Sequence, residues 1–355
     1  MKAHSSYLLQ TSAITAFYHI PPVWVGEIPN DGELERENAS NFTKEVYRKE
    51  LSSRIRVRVR QDGLFIFDFS KWKPGSAIKM PIFTPKNSGK KVDPFSAIEK
   101  DMLHVYNRVQ AMNAHLACLT TTLLSCQKVV WGIQQIITPS DYLSLHDFDD
   151  DSKLPELKLN WSKIHDYIWR RGISGENKLK RIHQYQLHTI EESFNLFDSI
   201  ITSHTKGILP IINLIYNSAI RYSEHDFTNS LILSWTACEA LIKILWRKFI
   251  DTELAETINR GTSIANNLIN KLRNYDSISN ISDMLSIHDI TLLDLYDSIN
   301  KSRRSRNHWL HNLKGVSSKE ASKSIVVSQN LLNYIAEIKL NIPIKYSHVG
   351  ATIIE

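Results

Sequence analysis

The chain has 355 residues, enough for two or three compact units with sizeable cores, so a single small domain is excluded. Hydrophobic residues make up 42% and charged residues 23%, a globular balance that argues against disorder; the longest apolar candidate, Leu231–Trp246, is interrupted by Glu239 and Lys243 and reads as a buried helix, not a membrane span. A formal net charge of +6 suits a polyanionic partner.

Residues 1–92 read as a β-rich domain, with short apolar runs punctuated by Pro21-Pro22, Pro29 and Asp62-Gly63. The start of the chain breaks its apolar stretches with Gln, Ser and Thr and makes a poor signal peptide. Arg54-Ile-Arg-Val-Arg-Val-Arg60 alternates at period two, which puts Ile55, Val57 and Val59 on one face and Arg54, Arg56, Arg58 and Arg60 on the other. Asp62-Gly63 then predicts a hairpin into Leu64–Phe69. Basic residues continue through Lys71, Lys73, Lys79, Lys86, Lys90 and Lys91, interleaved with Phe65, Phe67, Phe69 and Trp72. Two readings fit this stretch equally: a nucleic-acid surface, and a solvated arginine face that protects a strand edge.

From Asp93-Pro94 the period becomes helical, and Ile98, Met102, Val105, Val109, Met112, Leu116, Leu119, Leu123 and Cys126 trace one stripe of a long helix closed by Pro139, with Cys118 and Cys126 read as core residues. The acids Asp147, Asp149, Asp150 and Asp151 form a polar linker without the glycine register of a calcium loop. Residues 160–183 predict a short helix, so 93–183 reads as a helical connecting region. A helical bundle follows over 184–342, with a long helix broken near Gly207 and Pro210, the Glu239 helix, a polar turn at Tyr275–Asp283 and a final helix over Ser317–Leu340; 343–355 is a tail. The fold class is therefore mainly α, with a smaller β-rich N-terminal domain. Cys118, Cys126 and Cys238 have no short repeated spacing, which predicts neither disulfides nor zinc and fits a reducing cytoplasm. Gly-rich phosphate loops, H-E-x-x-H and G-x-S-x-G are all absent, and no cofactor or metal is expected.

The stretch Lys301-Ser-Arg-Arg-Ser-Arg-Asn-His-Trp-Leu-His-Asn312 carries the chemistry. It falls in a helical pattern over Thr291–Leu313. At about 100° per residue from Asn307, Arg303 lies near −40°, His311 near +40° and His308 near +100°, while Arg306 lies near −100°. Arg306 and His311 are thus about 140° apart and converge only from opposite flanks of one polar face or through a distortion of the helix. Cleaving RNA without a metal needs a base for the 2′-OH proton, an acid for the leaving 5′-oxygen and fixed positive charge for the phosphorane. An imidazole exchanges protons near neutral pH, and a guanidinium offers a charged planar fork to phosphate. One histidine and one arginine make half of such a site, and a two-fold dimer supplies the rest.

Arg306-Asn307-His308-Trp309-Leu310-His311 resembles the Arg-x(4–6)-His motif of the HEPN superfamily of helical ribonucleases and toxins. Leu231–Leu245, with Glu239 among small and apolar residues, is similar to the glutamate-bearing helix of that family, and Tyr296 resembles the Apea-like branch. The likeness covers roughly 185–340. It implies a metal-independent endoribonuclease acting on RNA as a homodimer in antiviral defence or as a toxin, with Arg306, Asn307 and His311 catalytic and Glu239, Arg303 and His308 in support. Independently of the resemblance, an unpaired carboxylate on this apolar helix is costly to bury, so two readings of Glu239 stand equally: it pairs with Arg303 or Arg306 and orients it, or it pairs elsewhere or lies exposed. His311-Asn312-Leu313 lacks the tyrosine that some toxin members carry two residues after the histidine, which argues against regulation through that tyrosine. Two alternatives stay open: a non-catalytic RNA- or protein-binding module, and an N-terminal domain that senses a phage-derived trigger and restrains the nuclease.

Overall fold

The computed structural model describes residues 12–19, 23–27, 44–73, 94–128, 135–150, 183–203, 205, 207–254, 263–275, 277–288, 290–348 and 351–354. The expected helix over 160–183 and Lys79, Lys86, Lys90 and Lys91 fall outside these residues, apart from the start of a strand at His183. The chain separates into two compact units, Met1–Gly207 and Ile208–Glu355.

The first unit is built on an antiparallel sheet in the order β3-β4-β5-β1-β6, formed by β1 (Ile14–Tyr18), β3 (Glu45–Glu50), β4 (Arg56–Arg60), β5 (Leu64–Asp68) and β6 (Leu143–Leu145). A short parallel pair joins β2 (Val23–Val25) to β7 (His183–Tyr185). The expected β4–β5 hairpin is present, with Val57 opposite Phe67 and Val59 opposite Phe65. Period-two alternation sorts the side chains onto two faces. Phe17, Val57, Val59, Phe65 and Phe67 face helix α1 (Pro94–Gln127) and helix α2 (Leu187–Thr202), where Phe67 meets His115, Phe194 and Phe197. Val109, Met112, Leu116, Leu119 and Leu123 of the expected stripe are buried, whereas Met102 and Cys126 are exposed and the Ile98 side chain lies outside the described ones; the helix ends at Gln127, well short of Pro139, where Lys128 turns to a φ of +55°.

Helix α2, grouped with the bundle in the sequence reading, belongs to the first unit because Ile190, Phe194, Phe197 and Ile200 bury themselves in this core. The break near Gly207 is where expected, at a φ of +78°.

Gly63 shapes the hairpin: its φ is +77°, and a Cβ there would stand 2.7 Å from the Val23 carbonyl oxygen. Gly63→Ala is expected to destabilise the protein by about 2–4 kcal/mol, from left-handed strain plus overpacking. Urea unfolding checks this, and a midpoint equal to that of the wild type contradicts it.

The second unit consists of helices α3 (Ile208–Ser223), α4 (Phe227–Phe249), α5 (Ser263–Arg273), α6 (Ile278–His288), α7 (Ile290–Asn312) and α8 (Ser318–Ala336), followed by a hairpin of β8 (Lys345–His348) and β9 (Ala351–Ile354). The expected turn over Tyr275–Asp283 is instead largely the first half of α6, whose Ile281 and Leu285 are buried, and the expected tail contains that hairpin. Helix α4 begins at Asp226, whose side chain accepts from the Asn229 N–H, and packs against α3, α6, α7 and α8. Its buried face carries Trp235, Cys238, Leu241, Ile242 and Trp246. Small residues let α8 approach closely: Ser234 donates to Ser324 across the pair at 2.8 Å. The extended segment after α8 is pinned by reciprocal amide bonds, Gln329 with the Ile342 backbone and Asn333 with the Leu340 backbone.

The fold is thus mainly helical with a small antiparallel sheet in the N-terminal region. Among the described residues, no helix is long and apolar enough to cross a membrane.

Candidate active site

Helix α7 carries the Arg306–His311 motif and spans 23 residues, ending where Leu313 turns to a φ of +49° and donates its N–H to the Trp309 carbonyl. Its inner side buries Ile299, Asn300 and Ser302, and Arg303, Arg306 and Trp309 continue that side half-buried. His308, His311 and Arg304 are exposed.

Five polar residues form a single line along this helix. Relative to Asn307, Tyr296 lies at about −20°, Asn300 at +20°, Arg303 at −40° and His311 at +40°. Hydrogen bonds fix its upper part. The Tyr296 hydroxyl donates to Asp283 Oδ1 on α6 at 2.7 Å, and Arg303 Nη2 donates to Asn300 Oδ1 at 3.2 Å. The Asp283 acceptor holds the Tyr296 pKa above its ordinary value. Arg303 Nε is shielded from solvent and has no partner, leaving a donor along the line that could serve an anion. Arg306 Nη1 donates to Asn307 Oδ1 at 3.0 Å, so the motif's arginine and asparagine are held together.

A second clamp fixes the helix at this level. Ser317 and Glu320 form a capping box at the start of α8, and the Ser305 hydroxyl donates to Glu320 Oε1 at 2.8 Å. Burial pushes the Glu320 carboxyl up, but bonds from the Ser317 hydroxyl and N–H and from Ser305 outweigh it and hold the group below the usual carboxylate range. Glu320 is therefore committed to the cap.

Glu239 does not take the expected role. Its Oε1 accepts from Trp235 Nε1, one turn earlier on α4, at 2.7 Å, and it forms no ion pair with Arg303 or Arg306. A buried indole N–H needs an acceptor, and the i+4 carboxylate supplies it without leaving its own helix. Asp283 and Asn300 were missed from sequence. Asn300 was legible, since it stands four residues after Tyr296 and three before Arg303, whereas Asp283 reaches Tyr296 from another helix and has no local signal.

The arginine face of β4 is also corrected. Arg54 is not in the strand: Arg54 N donates to the Leu51 carbonyl in the β3–β4 turn, with a φ of +65°. Arg56 pairs with Asp68 at 2.5 Å and Arg60 with Asp62 at 2.6 Å, while Arg58 lies 3.8 Å from Glu45. Arg48, Arg56 and Arg58 all lie against the Phe148 ring, at 5.3, 4.5 and 5.8 Å, and Asp149 takes Arg48 at 2.6 Å. Phe148 is itself buried, in a cluster with Ala16, Leu64, Ile66 and Leu145. Phe148 and Asp149, from the stretch that reads as a linker, thus lie over this second face of the sheet. Arg58 and Arg60 are only 5% exposed, so that face offers no open cationic track to a nucleic acid.

Among the described residues, no group of three or more His, Cys, Asp or Glu side chains is arranged to hold a metal ion. Comparison with family models, curated proteins and solved structures finds no match to this chain.

Proposed function

We propose that the second unit is a metal-independent endoribonuclease of the HEPN type, active as a homodimer and serving as an antiviral-defence or toxin effector. The observation that carries this reading is the polar line on α7, where the exposed His311 follows Asn307 by one turn and the half-buried Arg306, beside the line, donates to Asn307. One imidazole takes the 2′-OH proton, and the 2′-oxygen attacks phosphorus. The bond from phosphorus to the 5′-oxygen breaks, and a second imidazolium gives its proton to that oxygen. The products are a 2′,3′-cyclic phosphate and a 5′-hydroxyl. Arg306 holds the equatorial oxygens through its fork, and Asn307 orients that fork.

The second imidazole comes from a second copy. His311 and Arg306 stand about 140° apart on the helix, so each faces a different flank of a shared cleft. Leu310 and Leu313, exposed at 44% and 78%, give the His311 end of α7 an apolar rim for that contact.

Mixing wild-type subunits with an excess of His311→Ala subunits is expected to suppress activity beyond simple dilution, because heterodimers hold one histidine. Activity that falls only in proportion to dilution, from a protein that sediments as a monomer, contradicts the composite site and makes His308 the next candidate for the second imidazole.

A further inference from the structure

The first unit neutralises its arginines with care. Arg48, Arg56, Arg58 and Arg60 all meet carboxylates within the sheet or its covering segment. Three cations nearby are treated differently. Arg54, Lys71 and Lys73, with Ser52 and Ser53, line an open cleft of about 630 Å³, and among the described residues none of these three forms an ion pair. No carboxylate is among those five lining residues.

The cleft is held in shape. Leu51 and Ile55 close the β3–β4 turn through a backbone bond of 2.9 Å, and Asp198 on α2 accepts from the Ser52 and Ser53 N–H groups at 2.8 and 3.2 Å. These bonds sustain Arg54 in the left-handed region, a conformation that costs a non-glycine residue about 1–2 kcal/mol. Asp198 lends one negative charge behind the turn, which leaves the three cations in excess. On the other side, Trp72 packs on Phe69 with ring centroids 5.4 Å apart and fixes the segment whose flanking lysines both reach the cleft. The Ser53 hydroxyl is shielded from solvent and has no partner, so it is a ready donor at the wall.

We propose that this cleft is a binding site for a small ligand bearing an oligophosphate group, of the nucleoside di- or triphosphate class. Three cations that form no ion pair among the described residues, together with a hydroxyl donor, match a multiply charged phosphate chain better than a single carboxylate. The volume falls in the range of clefts that take molecules of nucleotide size. A polynucleotide backbone fits less well, because the neighbouring arginines that would extend its track are engaged inside the unit. The site belongs to the first unit and is independent of the nuclease reading.

Calorimetric titration of the full chain with ATP and with inorganic pyrophosphate tests the assignment, with a short 2′-O-methyl RNA as a third, uncleavable probe. ATP is expected to bind one-to-one and to be displaced by pyrophosphate, and the doubly substituted Lys71→Gln/Lys73→Gln protein to bind about tenfold more weakly or worse. Arg54→Gly is the second variant. Glycine adopts the left-handed turn without strain, so this protein should melt no lower than the wild type and still lose ATP affinity by about tenfold. Failure of ATP and pyrophosphate to bind at millimolar concentration overturns the proposal, as does undiminished affinity in both folded variants. So does binding of the RNA alone through these three cations.

Discussion

His311→Ala is expected to lower RNA cleavage by about 10²–10⁴-fold, the range for removing a positioned general acid or base. Loss should sit at the top of that range, because in a dimer one substitution removes both imidazoles. Arg306→Ala is expected to cost about 10²–10³-fold, through lost charge stabilisation of the phosphorane. Folding should survive both changes. His311 is exposed, and among the described residues the Arg306 side chain bonds to its neighbour Asn307. Arg306→Lys keeps the charge but not the fork, so it should recover only part of the loss. Single-turnover cleavage of a defined RNA measures all three; a folded His311→Ala protein with undiminished cleavage removes the imidazole from the mechanism.

Acid is expected to destabilise the first unit well above the range where carboxylates protonate. His19 and His115 are both fully buried in an aromatic core. His19 meets Phe17, Phe65 and Tyr185 edge to face, and neither ring nitrogen has a partner. His115 stacks on Phe194 at 4.2 Å and has only Ser193, at 3.3 Å from Nε2. Burial drives the His19 pKa down to about 3 and that of His115 well below its ordinary value, with the neighbouring His19 adding to the second shift. The folded state therefore keeps both rings neutral, while the unfolded chain takes up protons below about pH 6.5. Stability is complete above that pH and is lost as pH falls, at about 1.4 kcal/mol per pH unit for each histidine, or roughly 4 kcal/mol for the pair by pH 5. Asp68, held low by Ser70 and Arg56 against an opposing effect of burial, adds its loss only in stronger acid. Urea unfolding of the first unit between pH 7 and 5 should show this slope, and His19→Phe should reduce it by about half. A flat profile contradicts the account of the core.

The motif helix was legible because its information is local. Leu295, Tyr296, Ile299 and Leu310 repeat at helical spacing, and the expected Thr291–Leu313 lies one residue from the observed Ile290–Asn312 at each end. The β4–β5 hairpin was legible for the same reason, through alternation and Asp62-Gly63. What covers the arginine face was not. Phe148 and Asp149 come from about ninety residues further on, and their acidic segment has the composition of a solvated loop. The alternation also overran its strand. It extends to Arg54 in sequence, but pairing of Glu50 with Arg56 leaves the intervening residues to a turn. Helix α2 has an apolar face that any core would accept, so its amphipathicity did not say which unit it joins. Glu239 drew an arginine in expectation because an unpaired carboxylate among apolar residues is costly, yet Trp235 on the same helix meets that need.

The central claim is that α7 cleaves RNA with an imidazole and a guanidinium and without a metal. Its most direct test is to incubate the purified full chain with RNA in excess EDTA and determine the chemistry of the new ends. The account predicts cleavage undiminished by the chelator, with 2′,3′-cyclic phosphate and 5′-hydroxyl ends that vanish in the His311→Ala protein. Cleavage that requires added Mg²⁺ or Mn²⁺ and leaves 5′-phosphate ends, or RNA that stays intact under both conditions, would contradict it.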